Sequence, residues 1–413
     1  LLETAVVIEA RLGRPGGREL DLLVHRAALD IVAVDAEQGE IGRQVFLSYG
    51  KGRHAAGLNF GDCFAYALSR VRRSARLGLL HDATGDDRFI QTLVRSIGQD
   101  RELPSEDGGR LLFRPTTAFP QDLDPAQLQI HRSLREQSNT SVRLGDAMML
   151  KLYRRLQPGT HPEIEVGRHL TDVAHFEHTP AVLGWIEHQD AQGNSTALAV
   201  LMAYVANQGD GWGTTLDYLG RFFEEADLMP LESLGDVAER HGAYLSLVRT
   251  LGKRVAEMHR ALAVETGDRA FKAAPVAARD LSKWRSAVQQ QARDALTLLR
   301  RAEASLPAEV AAQARKLLKN RSKLLGRIAK AVPKALEAAK TRTHGDLHLG
   351  QVMVVQNDFQ IIDFEGEPAR PVAERRAKTS PLRDVAGMLR SFDYAAAVAL
   401  RDRLTIRPDA RAA

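Results

Sequence analysis

Hydrophobic positions recur at helical spacing over residues 2–12 and again near 16–28, the apolar run Ile31–Val34 reads as a strand, and a helix is expected after Asp35. The first 70 residues therefore read as an α/β segment punctuated by glycines. From about Arg76 the pattern changes to short helices and the strand Leu111–Arg114, ending in a polar, proline-bearing stretch around 115–126. A domain seam is expected near 70–76. Residues 128–155 alternate as antiparallel strands do, with Gly145-Asp146 as the turn between Ser141–Leu144 and Ala147–Tyr153.

A helix is expected from about Pro162, a buried strand over Ala197–Val205, and a loop at the glycines of Asn207–Gly213. Helical periodicity then dominates: 244–262, 281–304 and 307–340, the last with Ser305 and Pro307 as start signals. Next come the strand Val352–Val355, a turn at Asn357-Asp358 and the strand Gln360–Phe364. No internal repeat and no low-complexity tract interrupts this order.

Composition narrows the picture only a little. The 413 residues are 44% hydrophobic and 26% charged, as in ordinary globular chains, with a net charge of +5. The one local basic cluster, Arg70, Arg72, Arg73 and Arg76, lacks interleaved aromatics for base stacking and reads as a solvated face, so no nucleic-acid partner is expected. The single cysteine, Cys63, excludes an intramolecular disulfide. No apolar run approaches the roughly 20 residues that cross a bilayer, and no membrane association and a cytoplasmic location are expected. The chain opens Leu1-Leu2-Glu3 without an initiator methionine, as a sequence beginning inside a domain would.

The informative chemistry lies late in the chain. Phosphoryl transfer from ATP to a hydroxyl needs a lysine on the phosphates, ligands for magnesium and a carboxylate beside the attacking hydroxyl. His344-Gly345-Asp346-Leu347-His348-Leu349-Gly350-Gln351 places an acid five residues before a side-chain amide, the spacing of kinase catalytic loops. Ile361-Ile362-Asp363-Phe364-Glu365 follows across a hairpin that should return Asp363 to Gln351. Asp346 is then the candidate base, and Gln351 and Asp363 candidate Mg2+ ligands.

Upstream, Lys151 sits on a strand between apolar neighbours, and the following helix offers Glu165 as its ion-pair partner, with Glu163 as the rival. Glu136-Gln137-Ser138-Asn139-Thr140-Ser141 stands where a glycine-rich loop would cover phosphates, so Ser138, Asn139 and Thr140 are candidate phosphate contacts. Either carboxylate motif alone is weak; a lone Asp at a strand end is as well read as a turn residue.

The runs GLLHDA at 78–83, EQSNTSV at 136–142, LKLYRRLQPGTHPEIEVGRHL at 150–170, YVANQGDGW at 204–212 and HGDLHLGQV, IIDFEGEP and ERRAKTSPLRDVAGMLRSFDY within 344–394 resemble bacterial maltokinases, including those fused to trehalose synthases. The resemblance spans about 76–402. It implies ATP-dependent phosphorylation of maltose to maltose 1-phosphate for α-glucan synthesis, with ATP and Mg2+ bound, maltose as acceptor and trehalose synthase as a partner. By carry-over, Lys151 and Glu165 anchor phosphates, Asp346 is catalytic, Gln351 and Asp363 bind magnesium, and the strand end at Met202 and Tyr204 meets adenine through its backbone. Glu374, Arg375, Arg376 and Lys378 match the family without an assignable role, and Asp384 reads as an anchor for the catalytic loop.

LLETAVVIEARLG, ELDLLVHRA and GLNFGDCFAYAL, within the first 68 residues, resemble a VapC-type PIN-domain ribonuclease, with Glu3 and Asp62 matching two of its metal-binding acids. Together the two resemblances imply an α+β, bilobal protein-kinase-like fold with a shortened N-terminal cap, preceded by a partial PIN-like segment. The expected division is 1–70 PIN-like, 76–127 cap remnant, 128–206 N-lobe and 207–413 C-lobe, the last lacking the family's final helices. Readings that compete are a kinase with an aminoglycoside, choline-like or other hydroxyl acceptor, an inactive chimera, and a ribonuclease.

Overall fold

The computed structural model describes residues 36–49, 82–132, 139–228 and 240–406. The chain divides into two compact units, Leu1–Leu93 and Val94–Ala413. In the first, helix α1 (Ala36–Tyr49) starts directly after Asp35, as the periodicity predicts, and an exposed Glu40–Arg43 pair one turn apart lies along it. The elements read from 2–34, Cys63 and the acids Glu3 and Asp62 lie outside the described residues, as does Ser138.

The second unit is built on a seven-stranded antiparallel sheet. After α2 (Asp87–Gly98), its strands are β1 (Glu102–Pro104), β2 (Arg110–Pro115), β3 (Ile130–Arg132), β4 (Thr140–Leu144), β5 (Met148–Leu152), β6 (Val182–Gln189) and β7 (Ser195–Ala203). They lie in the order β1-β2-β6-β7-β5-β4-β3. The β4–β5 pair turns at Gly145, whose φ of +54° suits glycine, and Ser141 lies opposite Lys151. The sheet places both 102–115 and 130–203 in one layer. Strand β6 escaped the periodicity because its first five residues are all buried, which erases alternation.

Helix α3 (Pro162–Arg168) crosses this sheet so closely that a Cβ at Gly167 would stand 2.3 Å from Val182. Ile164 packs there with Tyr153, Val182, Trp185 and Val200. The helices that follow are α4 (Gly211–Leu228), α5 (Gly242–Ala261), α6 (Ala278–Ala302), α7 (Ala308–Lys319) and α8 (Arg321–Ala331). The single helix expected over 307–340 is two: α7 ends at Asn320, and α8 ends at Val332, held extended by Pro333. The two-residue strands Ala274–Pro275 (β8) and Ala339–Lys340 (β9) then pair.

The functional hairpin is β10 (Val352–Val355) with β11 (Asp358–Ile361). β11 is shorter than the expected Gln360–Phe364, because Asp363 takes a left-handed φ of +66° that no strand continues through. After the short helix α9 (Val372–Arg375), the 25-residue α10 (Leu382–Ile406) closes the described chain. Met388 of α10 and Leu251, Val255 and Met258 of α5 share one core with Leu347, Leu349, Val352 and Ile361. Burying Leu347 and Leu349 pins the loop between them, and α10 approaches it so tightly that a Cβ at Gly387 would lie 2.6 Å from the Leu347 carbonyl oxygen.

Candidate active site

Alternation on β5 decides what faces the cleft. Met148 and Leu150 are buried on one side, while Met149 and Lys151 line a cavity of about 470 Å3 on the other. The ammonium of Lys151 meets three carboxylates: Glu163 at 3.1 Å, Asp363 at 2.8 Å and Glu365 at 2.5 Å. Burial disfavours a charged lysine, but the Glu163, Asp363 and Glu365 carboxylates outweigh it and raise Lys151 above the ordinary lysine range. Glu163, fully enclosed, accepts a hydrogen bond from Tyr153 at 2.7 Å, and burial pushes its carboxyl up to about 7. Asp363 is also pushed up by burial, but Lys151 prevails and holds it below the usual carboxylate value.

The partner of Lys151 is thus Glu163 rather than the expected Glu165. Two residues on a helix point about 200° apart, and the packing of α3 on the sheet turns Glu163 inward. Glu165 faces the other way, with Arg342 at 2.8 Å and Arg376 at 2.6 and 2.9 Å. Of the expected phosphate loop, Asn139 lines the cavity and donates to Glu365 at 3.1 Å, whereas Thr140 accepts from Arg154 at 2.8 Å and is not part of the lining. Met202 and Tyr204 line the cavity, and the Tyr204 amide donates to the Ala147 carbonyl at 2.9 Å.

The hairpin brings Gln351 and Asp363 together: the Gln351 amide donates to Asp363 at 2.9 Å. Oxygen atoms of Glu163, Asp363 and Glu365 lie within 4.8 Å of one another, and such a set of hard oxygen donors fits a magnesium ion. Glu365 has no role in the sequence reading; the left-handed backbone at Asp363 and the turn after it bring its carboxylate to Lys151, and strand alternation does not announce this.

The loop carrying Asp346 is held from three directions. His344 Nε2 donates to the Ile362 carbonyl at 2.8 Å, and the Leu349 amide donates to Ser391 at 3.1 Å. Asp384, 1% exposed, accepts from the His344 and Gly345 amides, each at 2.9 Å, and from His259 at 2.9 Å. The Asp346 carboxylate, by contrast, has no hydrogen-bond partner among the described residues and is half-buried. A second cavity, about 550 Å3, is bounded by His348 and Gly350 of this loop and by Asp210, Trp212, Arg390, Ser391 and Tyr394. These residues come from three segments, 210–212, 348–350 and 390–394, the first more than a hundred positions before the others, and no local pattern links them.

Burial would raise Asp384, but the His259 hydrogen bond and the loop amides hold its carboxyl below the usual range. Its stabilising contribution is therefore present above the unfolded value near 4 and is lost as pH falls through the depressed native value. Urea denaturation of Asp384→Asn should show about 2 kcal/mol less stability at pH 7 and a shallower decline between pH 5 and 3 than the parent chain. Equal slopes would place the acid-sensitive contact elsewhere.

The family model described as phosphotransferase enzyme family (APH) matches residues 130–408. A glucosamine kinase of Mycolicibacterium smegmatis is 29% identical over 267 residues, 64% of this chain and 59% of the relative. One from Streptacidiphilus jiangxiensis is 25% identical over 363 residues, 87% of this chain and 73% of the relative. A solved glucosamine kinase in complex with glucosamine, ADP and inorganic phosphate superposes with a TM-score of 0.54 at 22% identity, covering 79% of this chain and 68% of that one, which shows a shared fold. A separate 70-residue stretch, 17% of the chain, is 64% identical to ribonuclease VapC30 of Mycobacterium tuberculosis and spans about half, 53%, of that relative. Among the described residues no helix is long and apolar enough to cross a membrane.

Proposed function

The chain belongs to the phosphotransferase enzyme family, and from that premise we propose that it transfers the γ-phosphoryl group of ATP to a hydroxyl of a sugar. The observation that carries the reading is the meeting of Lys151 with Glu163, Asp363 and Glu365 on the wall of one cavity. In this reading the Met149, Val182 and Met202 side chains give adenine an apolar bed. Lys151, already charged, gains phosphate oxygens as partners and is oriented by Glu163. Asp363, with Gln351 and Glu365 beside it, would hold magnesium, whose chemistry here is neutralisation of the phosphate charge. Asp346 orients the acceptor hydroxyl and takes its proton as the oxygen attacks the γ-phosphorus in line, while the bond from that phosphorus to the β,γ-bridging oxygen breaks and ADP leaves.

The acceptor is assigned to the cavity bounded by His348, Trp212 and Tyr394, where aromatic rings 5.6 Å apart stand with Asp210 and Arg390. Aromatic faces with a few charged groups suit a sugar ring. Glucosamine is the first acceptor proposed, because the two kinase relatives described above are glucosamine kinases. Maltose is the second, favoured by the maltokinase-like runs within 344–394, and a trehalose synthase would then be the metabolic partner. ATP- and magnesium-dependent phosphorylation should be measured with glucosamine, maltose, an aminoglycoside and choline in parallel. A kcat/KM for glucosamine at least 10-fold above the rest is expected; a preference for maltose would select the second reading, and activity on neither would sink both.

For the VapC-like region, which spans about half of its ribonuclease relative, we propose no nuclease activity in this chain, since no acid follows Asp62 before the kinase-like sequence that starts near Arg76. Metal-dependent RNA cleavage that vanishes in Asp62→Ala would overturn this.

A further inference from the structure

Helix α3 presents two carboxylates in opposite senses, Glu163 to Lys151 and Glu165 to a pair of arginines. Arg342, 2% exposed, lies two residues before His344 at the start of the loop carrying Asp346. Arg376 lies beyond Glu365, beside Arg375, which donates to the Glu365 carbonyl at 3.1 Å. The two arginine-bearing segments are also joined directly, by paired backbone hydrogen bonds of 3.0 and 2.9 Å between Thr341 and Thr379.

Burying one carboxylate and a guanidinium costs several kcal/mol of desolvation, which an apolar cluster would avoid, so this triad is costly as mere glue. What it does provide is direction, because a carboxylate held on both oxygens by two arginines fixes the rotation of a seven-residue helix. That rotation also sets where Glu163 stands, and hence where Lys151 points.

We propose that Glu165 is a positioning residue which, through Arg342 and Arg376, locks the Lys151–Glu163 pair in register with the Asp346 loop. The proposal rests on the kinase reading for its kinetic consequence. Without the Glu165 charge, two guanidiniums face each other across a neutral side chain and α3 is free to turn. Nucleotide still enters the cavity, but its phosphates and the Asp346 loop are no longer aligned.

The test compares the full 413-residue chain with Glu165→Gln, Arg376→Met and the double variant. Three readouts are taken: kcat, ATP affinity from nucleotide-dependent thermal shift, and hydrogen exchange of peptides 342–351 and 370–379. Glu165→Gln should lose roughly 100-fold in kcat with ATP affinity changed less than 5-fold. Arg376→Met, whose substituted side chain is partly exposed, should keep the fold, lose about 10-fold in kcat and exchange faster in both peptides. The double variant should be no worse than Glu165→Gln, because the arginine it removes has already lost its partner. Additive losses, or a folded Arg376→Met with unchanged kcat and unchanged exchange, overturn the proposal. If the parent chain phosphorylates none of the acceptors, the kinase reading fails, and the exchange arm still decides whether Glu165 couples the two segments.

Discussion

Asp346→Asn is expected to lower phosphoryl transfer by on the order of 10³-fold while nucleotide affinity stays within a factor of about 3. Asp346 is not among the residues that line the cavity at Lys151, and its neighbours Leu347 and Leu349 carry the packing of the loop. Asparagine keeps the shape and an acceptor oxygen but is a far weaker base. The loss should therefore fall on kcat and be visible in single-turnover kinetics, with thermal stability unchanged. Loss of ATP binding to the same extent as turnover would show that Asp346 serves the nucleotide, and the division of roles among the acids would have to be redrawn.

The second large effect is expected at Lys151. Lys151→Met removes the cation shared by Glu163, Asp363 and Glu365 and leaves three acids within 4.8 Å of one another. Breaking a buried pair from one side costs about 3 kcal/mol, and removing a preorganised phosphate contact lowers turnover by on the order of 10²-fold. A pH signature accompanies the substitution. Burial already raises Glu163 to about 7, so its protonated form stabilises the fold below its unfolded value near 4.5, and that contribution is lost as pH rises through the native value. Without the lysine the native value climbs further, and the stability of Lys151→Met should fall more steeply than that of the parent chain between pH 5 and 8. A variant as stable at pH 8 as at pH 5 would mean that the three acids are solvated or separated, contrary to the geometry described here.

The residues whose roles could be read along the chain share a property: their partners lie within one hairpin or one loop. Gln351 and Asp363 are brought together by β10 and β11 alone, and a two-strand return is a local event that spacing and turn residues announce. Lys151 was legible because alternation on β5 sends it to the face opposite Leu150. The loop 344–351 shows its buried Leu347 and Leu349 alternating with the polar Asp346 and His348, so the side on which chemistry stands is written in its pattern.

Where the reading missed, the deciding contact was distant. Asn139 and Thr140 are adjacent, and one residue of register on β4 sends Asn139 to Glu365, 226 positions away, and Thr140 to Arg154. The helix expected as one piece over 307–340 is a different case: its early stop at Val332 is announced locally by Pro333, outweighed there by helical composition, whereas no proline announces the break at Asn320. Asp210, Trp212, Arg390 and Tyr394 bound one cavity although no motif joins them.

By itself the sequence determined the β4–β5 and β10–β11 hairpins, the strand β7, the helices α5 and α6, the loop 344–351 with its acid and amide, and the carboxylate that the hairpin returns to that loop. Only the tertiary structure decided which glutamate of α3 serves Lys151, that Glu365 completes the acidic cluster, and which segments wall the second cavity. The physical reason is that hydrogen bonding and alternation act over a few residues and leave a periodic trace. The rotation of a short helix about its axis, by contrast, is set by what packs on it: here Val182 against Gly167 on one side and two arginines more than 170 positions away on the other.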